Sequence, residues 1–165
     1  MAAGSVLGAS ERRRLEPLAA ALARAAEPGP PRLEPLAGGL RPELRGPGRR
    51  GARAGLLAGT FNPFTRAHAA LAVAGHRAGC DPVVLAMAPV SLAKEGLERA
   101  HPVDRLDWVR AWARRYRWAV VAVASHPLLV DMAEALARVT GGEVALLLGA
   151  DKAAQLVEAR WYDDP

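Results

Sequence analysis

The segment Gly55–Ala72, which reads GLLAGTFNPFTRAHAALA, constrains the fold of this chain most strongly. Residues 54–58 form an apolar run that is too short for a helix and is flanked by glycine, which predicts a buried strand of a parallel sheet. Gly59 then turns the chain. From Thr65 to Ala74 good helix formers dominate, which predicts a helix with Thr65 at its N-cap.

A strand that ends in front of the first turn of a helix creates a site for an anion. The first backbone N–H groups of the helix lack partners within it, and the positive end of the helix dipole faces the same point. Thr65 and His68 are three residues apart, so both side chains lie on one face of the first turn. The pattern therefore predicts a phosphate site with a hydroxyl and an imidazole beside it.

These residues resemble the signature of the nucleotidylyltransferase superfamily, in which a GxFxP turn is followed by H/T-x-x-H. Thr in place of the first His, and Asn after Phe, make the segment most similar to nicotinamide or nicotinate mononucleotide adenylyltransferases. The alternative is that Gly59 and Pro63 only shape a turn and that His68 packs against the helix. The resemblance implies catalytic roles for Thr65 and His68 and a nucleotide-binding role for Gly59, Thr60, Phe61 and Asn62.

Strand-like and helix-like segments alternate after the opening unit, as in chained βαβ units. They predict an α/β fold, a Rossmann-like parallel sheet with helices on both faces. The predicted strands are Pro82–Ala88, Arg117–Ser125 and Glu143–Leu148, and the predicted helices are Val103–Tyr116, Leu128–Val139 and Lys152–Ala159.

The resemblance extends to residues that follow the later strands. It implies that Lys94, in the loop after the second strand, approaches the phosphates, although a loop lysine is usually only solvated. It gives Arg105 a role in binding the substrate. Gly149 and Asp151 match a GxD motif near the nucleotide ribose, and Trp161 matches a tryptophan that stacks on the pyridine ring. For Asp151 an N-cap role is the alternative.

Residues 1–53 are rich in Pro, Gly, Ala and Arg, a composition that predicts a flexible extension. The resemblance implies that residues 54–165 form the nucleotidylyltransferase domain. The hexapeptide RLEPLA occurs twice, at Arg14–Ala19 and Arg32–Ala37. Ser10 could cap a short helix, and Pro17 could begin a second one that runs to Ala26.

The net charge of +5 lies entirely in that extension, which holds ten arginines against five glutamates. Residues 54–165 hold twelve basic and twelve acidic residues, so no specific nucleic-acid face is expected on the domain. Cys80 is the only cysteine, no apolar run is long enough to span a bilayer, and no signal-peptide pattern opens the chain. These features favour a cytoplasmic protein with no membrane contact, and they leave the oligomeric state open, a homo-oligomer included.

Members of the family continue with a fifth strand and a helix that carries a Ser/Thr-x-x-Arg signature for the ATP phosphates. This chain stops at Pro165, which indicates a truncated domain without its last strand and helix.

The expected reaction is transfer of AMP from ATP to nicotinate or nicotinamide mononucleotide, with Mg²⁺ held mainly by the ATP phosphates and no metal ligands from the chain. Alternatives are a phosphopantetheine adenylyltransferase, a CTP-dependent cytidylyltransferase and a non-catalytic nucleotide-binding fragment. Members of the family often have a Ser or a Tyr-Thr pair after the third strand, and here only Ser125 could take that place. This difference leaves open which pyridine nucleotide is accepted.

Overall fold

The computed structural model describes residues 8–36, 53–88 and 100–156. Helices and strands alternate through most of this part of the chain. Its helices are α1 (Ala9–Ala26), α2 (Arg66–Arg77), α3 (Pro102–Ala113), α4 (Leu129–Thr140) and α5 (Ala150–Leu156), and its strands are β1 (Leu33–Pro35), β2 (Arg53–Gly59), β3 (Cys80–Met87), β4 (Ala119–Ala124) and β5 (Glu143–Leu146).

The five strands form one sheet in the order β1-β4-β3-β2-β5. β2, β3, β4 and β5 run parallel to one another, and β1 pairs antiparallel with β4 at the edge. In the register of the central pair, Leu57 lies opposite Leu85. The predicted Rossmann-like α/β fold is confirmed, with the addition of one antiparallel strand.

The chain reverses its direction of travel across the sheet at β2. From β2 it moves outward through β3 to β4, and then it returns to place β5 on the other side of β2. In open α/β sheets this reversal leaves a crevice at the carboxyl ends of the two neighbouring strands, where ligands bind. The turn after β2 and the loop after β5 lie at that edge because the two strands are parallel neighbours.

Alternate residues of the strands supply two apolar layers, one on each face of the sheet. One layer packs against α1, α2 and α3 and includes Leu57 and Leu85; the other packs against α4 and includes Leu56 and Val84. The helices therefore cover both faces, as the sequence predicts.

The structure confirms the predicted cap of α2 but not the one at Ser10, which lies inside α1 after its N-cap Gly8. Thr65 is the N-cap of α2, and α4 ends at Gly141, whose φ of 64° lies in the left-handed region that glycine adopts without a steric penalty. α3 ends at Ala113, three residues before the predicted Tyr116, and β4 is shorter than the predicted Arg117–Ser125.

The prediction of a flexible extension over residues 1–53 is wrong for residues 8–36. They form α1 and β1, and Leu18, Ala21 and Ala25 of α1 are buried in the core. β1 adds Leu33 and Leu36 to that buried set. Ala and Leu at helical spacing provide one apolar face of α1. The overall composition of residues 1–53 concealed that face among the arginines.

The predicted break of the first helix at Pro17 is also wrong, because α1 is continuous and contains Pro17 in its interior. Arg32 ties the end of α1 to β1: its guanidinium donates to the carbonyl oxygens of Arg24 and Glu27 and to the carboxylate of Glu34. Arg24 donates to the same carboxylate at 3.1 Å.

None of the helices in the described part of the chain combines the length and the apolar character that crossing a bilayer requires.

Candidate functional site

The turn that begins at Gly59 follows the carboxyl end of β2, and its first two carbonyl groups are held from two sides. Ala88, just after β3, donates its backbone N–H to the carbonyl of Gly59 at 3.2 Å. Arg105 of α3 donates from Nη1 to the carbonyl of Thr60 at 2.8 Å. Two consecutive peptide units of the turn therefore have fixed orientations.

Phe61 occupies the centre of this turn with a backbone conformation that is unusual for its residue type. Its φ is 46°, in the left-handed region, and its side chain is 1% exposed. A Cβ atom added to Gly59 would lie 3.1 Å from the Phe61 ring, so the approach of ring and backbone is close enough to favour glycine. Such conformations persist only where surrounding contacts hold them, and they concentrate at ligand sites.

Thr65 and His68 form a reciprocal cap at the start of α2. The backbone N–H of Thr65 donates to Nδ1 of His68 at 3.0 Å, and the hydroxyl oxygen of Thr65 lies 2.9 Å from the same nitrogen. In return the backbone N–H of His68 donates to the Thr65 hydroxyl oxygen across a longer contact of 3.5 Å. The imidazole takes the place that glutamate or glutamine has in a capping box.

This cap determines which nitrogen of His68 carries the proton. A nitrogen that accepts the N–H of Thr65 has no proton of its own, so the neutral ring carries its proton on Nε2. Burial lowers the pKa of His68 below its ordinary value, which favours the neutral ring. The site therefore presents an Nε2–H donor at the first turn of α2.

Two aromatic rings set the plane of the imidazole. Phe64 stacks on His68 with centroids 5.6 Å apart and planes 20° from parallel, and Phe61 meets it edge-on at 5.2 Å. Phe64 in turn contacts Trp112 of α3 at 5.3 Å. The sequence analysis did not assign Phe64 to the site, and because Phe64 precedes the N-cap of α2, helical spacing gave no signal for this contact.

Asn62 connects the turn to the chain in front of α3. Its Oδ1 accepts the backbone N–H of Ala100 at 3.3 Å, and its side chain is otherwise exposed. Together with the bond from Ala88 to Gly59, this attaches the turn to the residues on both sides of segment 89–99. The predicted phosphate ligand Lys94 belongs to that segment and lies outside the described residues.

Arg105 lies behind the turn, in the interior of the protein. Its side chain is 2% exposed and reaches the Thr60 carbonyl from the first turn of α3. The structure therefore brings Arg105 together with the turn, at a carbonyl oxygen rather than at an open surface.

Gly149 and Asp151 lie at the same edge of the sheet as the turn. β5 ends at Leu146, α5 begins at Ala150, and the Gly149 carbonyl accepts the N–H of Ala153 at 2.9 Å. Asp151 is inside the first turn of α5 rather than before it, so its alternative role as N-cap is wrong. Trp161 lies outside the described residues.

Ser125 and His126 follow β4 at the same edge. The Ser125 hydroxyl oxygen accepts the backbone N–H of Arg32 at 2.9 Å and lies 2.9 Å from Nδ1 of His126. Ser125, the predicted counterpart of the family's polar pair, therefore binds Arg32, just before β1. The sequence analysis had assigned this part of the chain to a flexible extension.

Within the described ranges, no three His, Cys, Asp or Glu side chains are grouped closely enough to hold a metal ion.

No protein-family model matches the chain, and the comparison with curated proteins gives no match.

Proposed function

We propose that the protein transfers AMP from ATP to nicotinate or nicotinamide mononucleotide, releasing pyrophosphate. The observation that supports this most directly is the Thr65–His68 cap at the start of α2, in which Nδ1 of His68 accepts the N–H of Thr65 and Nε2 is left to act as a donor. A donor of this kind beside a helix N-terminus is suited to a phosphate that gains charge during reaction.

The proposed reaction requires no nucleophilic side chain. A phosphate oxygen of the mononucleotide, already ionised at neutral pH, attacks the α-phosphorus of ATP. The new P–O bond forms as the bond to the pyrophosphate oxygen breaks, and the electron pair leaves with pyrophosphate. What the protein contributes is the alignment of two polyanions and the stabilisation of charge on the phosphates.

His68 suits that role because it is neutral and oriented before the nucleotide binds. Its ring plane is set by Phe61 and Phe64, and its tautomer is set by the N–H of Thr65. A donor that is already oriented needs no reorganisation when charge develops on the α-phosphate.

The location of the turn supports a nucleotide as the ligand. The turn lies beside β5 at the reversal of the strand order, where a dinucleotide can extend across the edge of the sheet. In the proposal Gly59, Thr60, Phe61 and Asn62 border the phosphates. Gly149 and Asp151 lie toward the ribose.

Three further elements of the proposal come from the resemblance to the adenylyltransferases. Lys94 would approach the outer phosphates, and Trp161 would stack on the pyridine ring. Mg²⁺ bound by the ATP phosphates and water would neutralise part of their charge, with no ligand supplied by a described cluster of side chains.

The decisive assay mixes the purified chain with ATP, Mg²⁺ and each mononucleotide, and follows pyrophosphate release together with dinucleotide formation. His68→Ala should lower the rate on the order of a hundredfold, the usual loss when one donor to a charged transition state is removed. His76→Ala is the matched control, because His76 lies on the same helix but stacks on Trp118 with centroids 4.5 Å apart.

The outcomes distinguish the alternatives. Turnover with phosphopantetheine, or with CTP and a phosphorylated alcohol, would assign another transferase chemistry. Binding of ATP without turnover on any acceptor would support a non-catalytic nucleotide-binding protein. Dinucleotide formation that is unaffected by His68→Ala would refute the role proposed for His68.

A further inference from the structure

We infer that Arg105 positions the phosphate-binding turn, by holding the Thr60 carbonyl so that the N–H of Phe61 is directed at a bound phosphate. The inference rests on the proposed function for the identity of the ligand. The resemblance to the adenylyltransferases implied that Arg105 touches the substrate itself. Its bond to the Thr60 carbonyl points instead to an action through the backbone of the turn.

The geometry of a peptide unit provides the first step. A trans peptide is planar, and its C=O and N–H groups point in opposite directions. The Thr60 carbonyl and the Phe61 N–H belong to one such unit. Because Nη1 of Arg105 binds that carbonyl at 2.8 Å from the interior, the Phe61 N–H points away from α3.

The preceding peptide unit is fixed in the same way from a different element. The Gly59 carbonyl accepts the N–H of Ala88 at 3.2 Å, so the Thr60 N–H points away from β3. Arg105 and β3 thus orient two consecutive N–H groups of the turn. Successive backbone amides in a turn conformation form the concave anion sites of phosphate-binding loops, which is the role we infer for this pair.

Burial makes the contact of Arg105 both strong and specific. The side chain is 2% exposed, so water does not compete for the Thr60 carbonyl, and a hydrogen bond from a charged donor is stronger than one between neutral groups. The guanidinium keeps its proton throughout the physiological pH range.

The backbone of Phe61 requires such support. A phenylalanine with a φ of 46° is held in a sparsely populated conformation, and the peptide that enters it is the one that Arg105 binds. Loss of Arg105 would free that peptide unit to rotate, and the direction of the Phe61 N–H would change with it.

The test compares Arg105→Met with the wild-type chain and with Arg110→Met. Methionine keeps much of the packing volume but cannot donate to the Thr60 carbonyl. Arg110 is the matched control, since it lies on the same helix but donates to the carbonyl of Arg14 at 3.1 Å. Two quantities are measured: the Phe61 amide signal in ¹H–¹⁵N spectra, and the affinity for inorganic pyrophosphate and for ATP by calorimetry.

Arg105→Met should move the Phe61 amide signal and weaken pyrophosphate binding about tenfold, the usual value of one well-directed hydrogen bond. Arg110→Met should change neither quantity. An unmoved Phe61 signal would overturn the inference, and so would a moved signal with unchanged pyrophosphate affinity, because Arg105 would then be only a structural residue.

A second variant keeps the test decisive if Arg105→Met does not fold. Arg105→Lys retains the charge but has a shorter reach, and the same two criteria apply to it. The proposed function fails separately: a wild-type chain that binds neither pyrophosphate nor ATP would refute that function, while the Phe61 signal would still report whether Arg105 orients the turn.

Discussion

The backbone N–H of Thr65 donates to Nδ1 of His68 over 3.0 Å, so one imidazole caps α2 within the segment proposed to bind phosphate. Glutamate in the same place would satisfy the same N–H but would bring a negative charge to the proposed anion site. The neutral imidazole satisfies the cap without that repulsion and leaves a second nitrogen available as a donor. In the proposal, the stability of the helix and the function of the site therefore depend on one side chain.

Thr65→Val should lower the free energy of unfolding by between about 0.5 and 2 kcal/mol, because valine keeps the shape of threonine but lacks the capping oxygen. Urea denaturation followed by circular dichroism measures this loss. Thr65→Ser keeps the hydroxyl and should stay near the wild-type value. Equal stability of the Val and Ser variants would show that the 3.5 Å contact to the His68 N–H contributes nothing.

Acid should weaken the fold through His68. Burial lowers the pKa of this imidazole in the folded state below 6.5, so the unfolded chain takes up a proton first as the pH falls. The stability that the neutral ring provides is full above about pH 6.5 and declines as the pH drops toward the folded-state pKa.

The measurement is the difference in unfolding free energy between the wild-type chain and His68→Ala, taken at several values between about pH 5 and pH 7.5. That difference should shrink on acidification, because only the wild-type chain carries the half-buried imidazole. A difference that is constant with pH would contradict this role of His68.

Gly75→Val should destabilise the protein by about 1 to 3 kcal/mol through overpacking. A Cβ atom at Gly75 would lie 2.5 Å from Cδ1 and 2.8 Å from Cδ2 of Leu147, so a side chain at position 75 would force the Leu147 side chain to move. Ala74→Val is the control, since Ala74 is the preceding residue of the same helix and is exposed. Valine is a better helix former than glycine but a poorer one than alanine, so helix propensity alone would favour Gly75→Val and disfavour Ala74→Val. Thermal unfolding of both variants is the measurement, and a Gly75→Val variant as stable as the wild-type chain would refute the packing effect.

Pro17→Ala should stabilise the protein, by as much as about 3 kcal/mol, because proline in a helix interior removes a hydrogen bond and crowds the preceding turn. Pro35→Ala, in the short edge strand β1, should change stability little, since edge strands tolerate a missing N–H. Chemical denaturation of both variants tests the contrast. A gain at Pro35 as large as that at Pro17 would contradict it.

Local sequence was sufficient to predict the unit that carries the candidate site. An apolar run of strand length, a glycine and a good N-cap specify β2, the turn and α2 through interactions between near neighbours, and the structure confirms Thr65 as the cap. The contacts of Arg105 and Asn62 were not predictable in the same way. They join the turn to residues 38 to 45 positions away, and no local pattern records such a distance.

The two copies of the hexapeptide RLEPLA show most directly that tertiary structure, and not local sequence alone, decides the conformation of a segment. Its first copy, at Arg14, lies inside α1, and its second, at Arg32, enters β1. Identical local propensities thus give a helix in one place and a strand in the other. In α1 the copy continues a helix whose Leu18 is buried against the sheet, while in β1 the register with β4 sets Leu33 opposite Ala124. The sequence by itself determined the strand, turn and helix of the candidate site; the burial available at each position along the sheet decided the rest, because packing outweighs propensity wherever a segment is locally ambiguous.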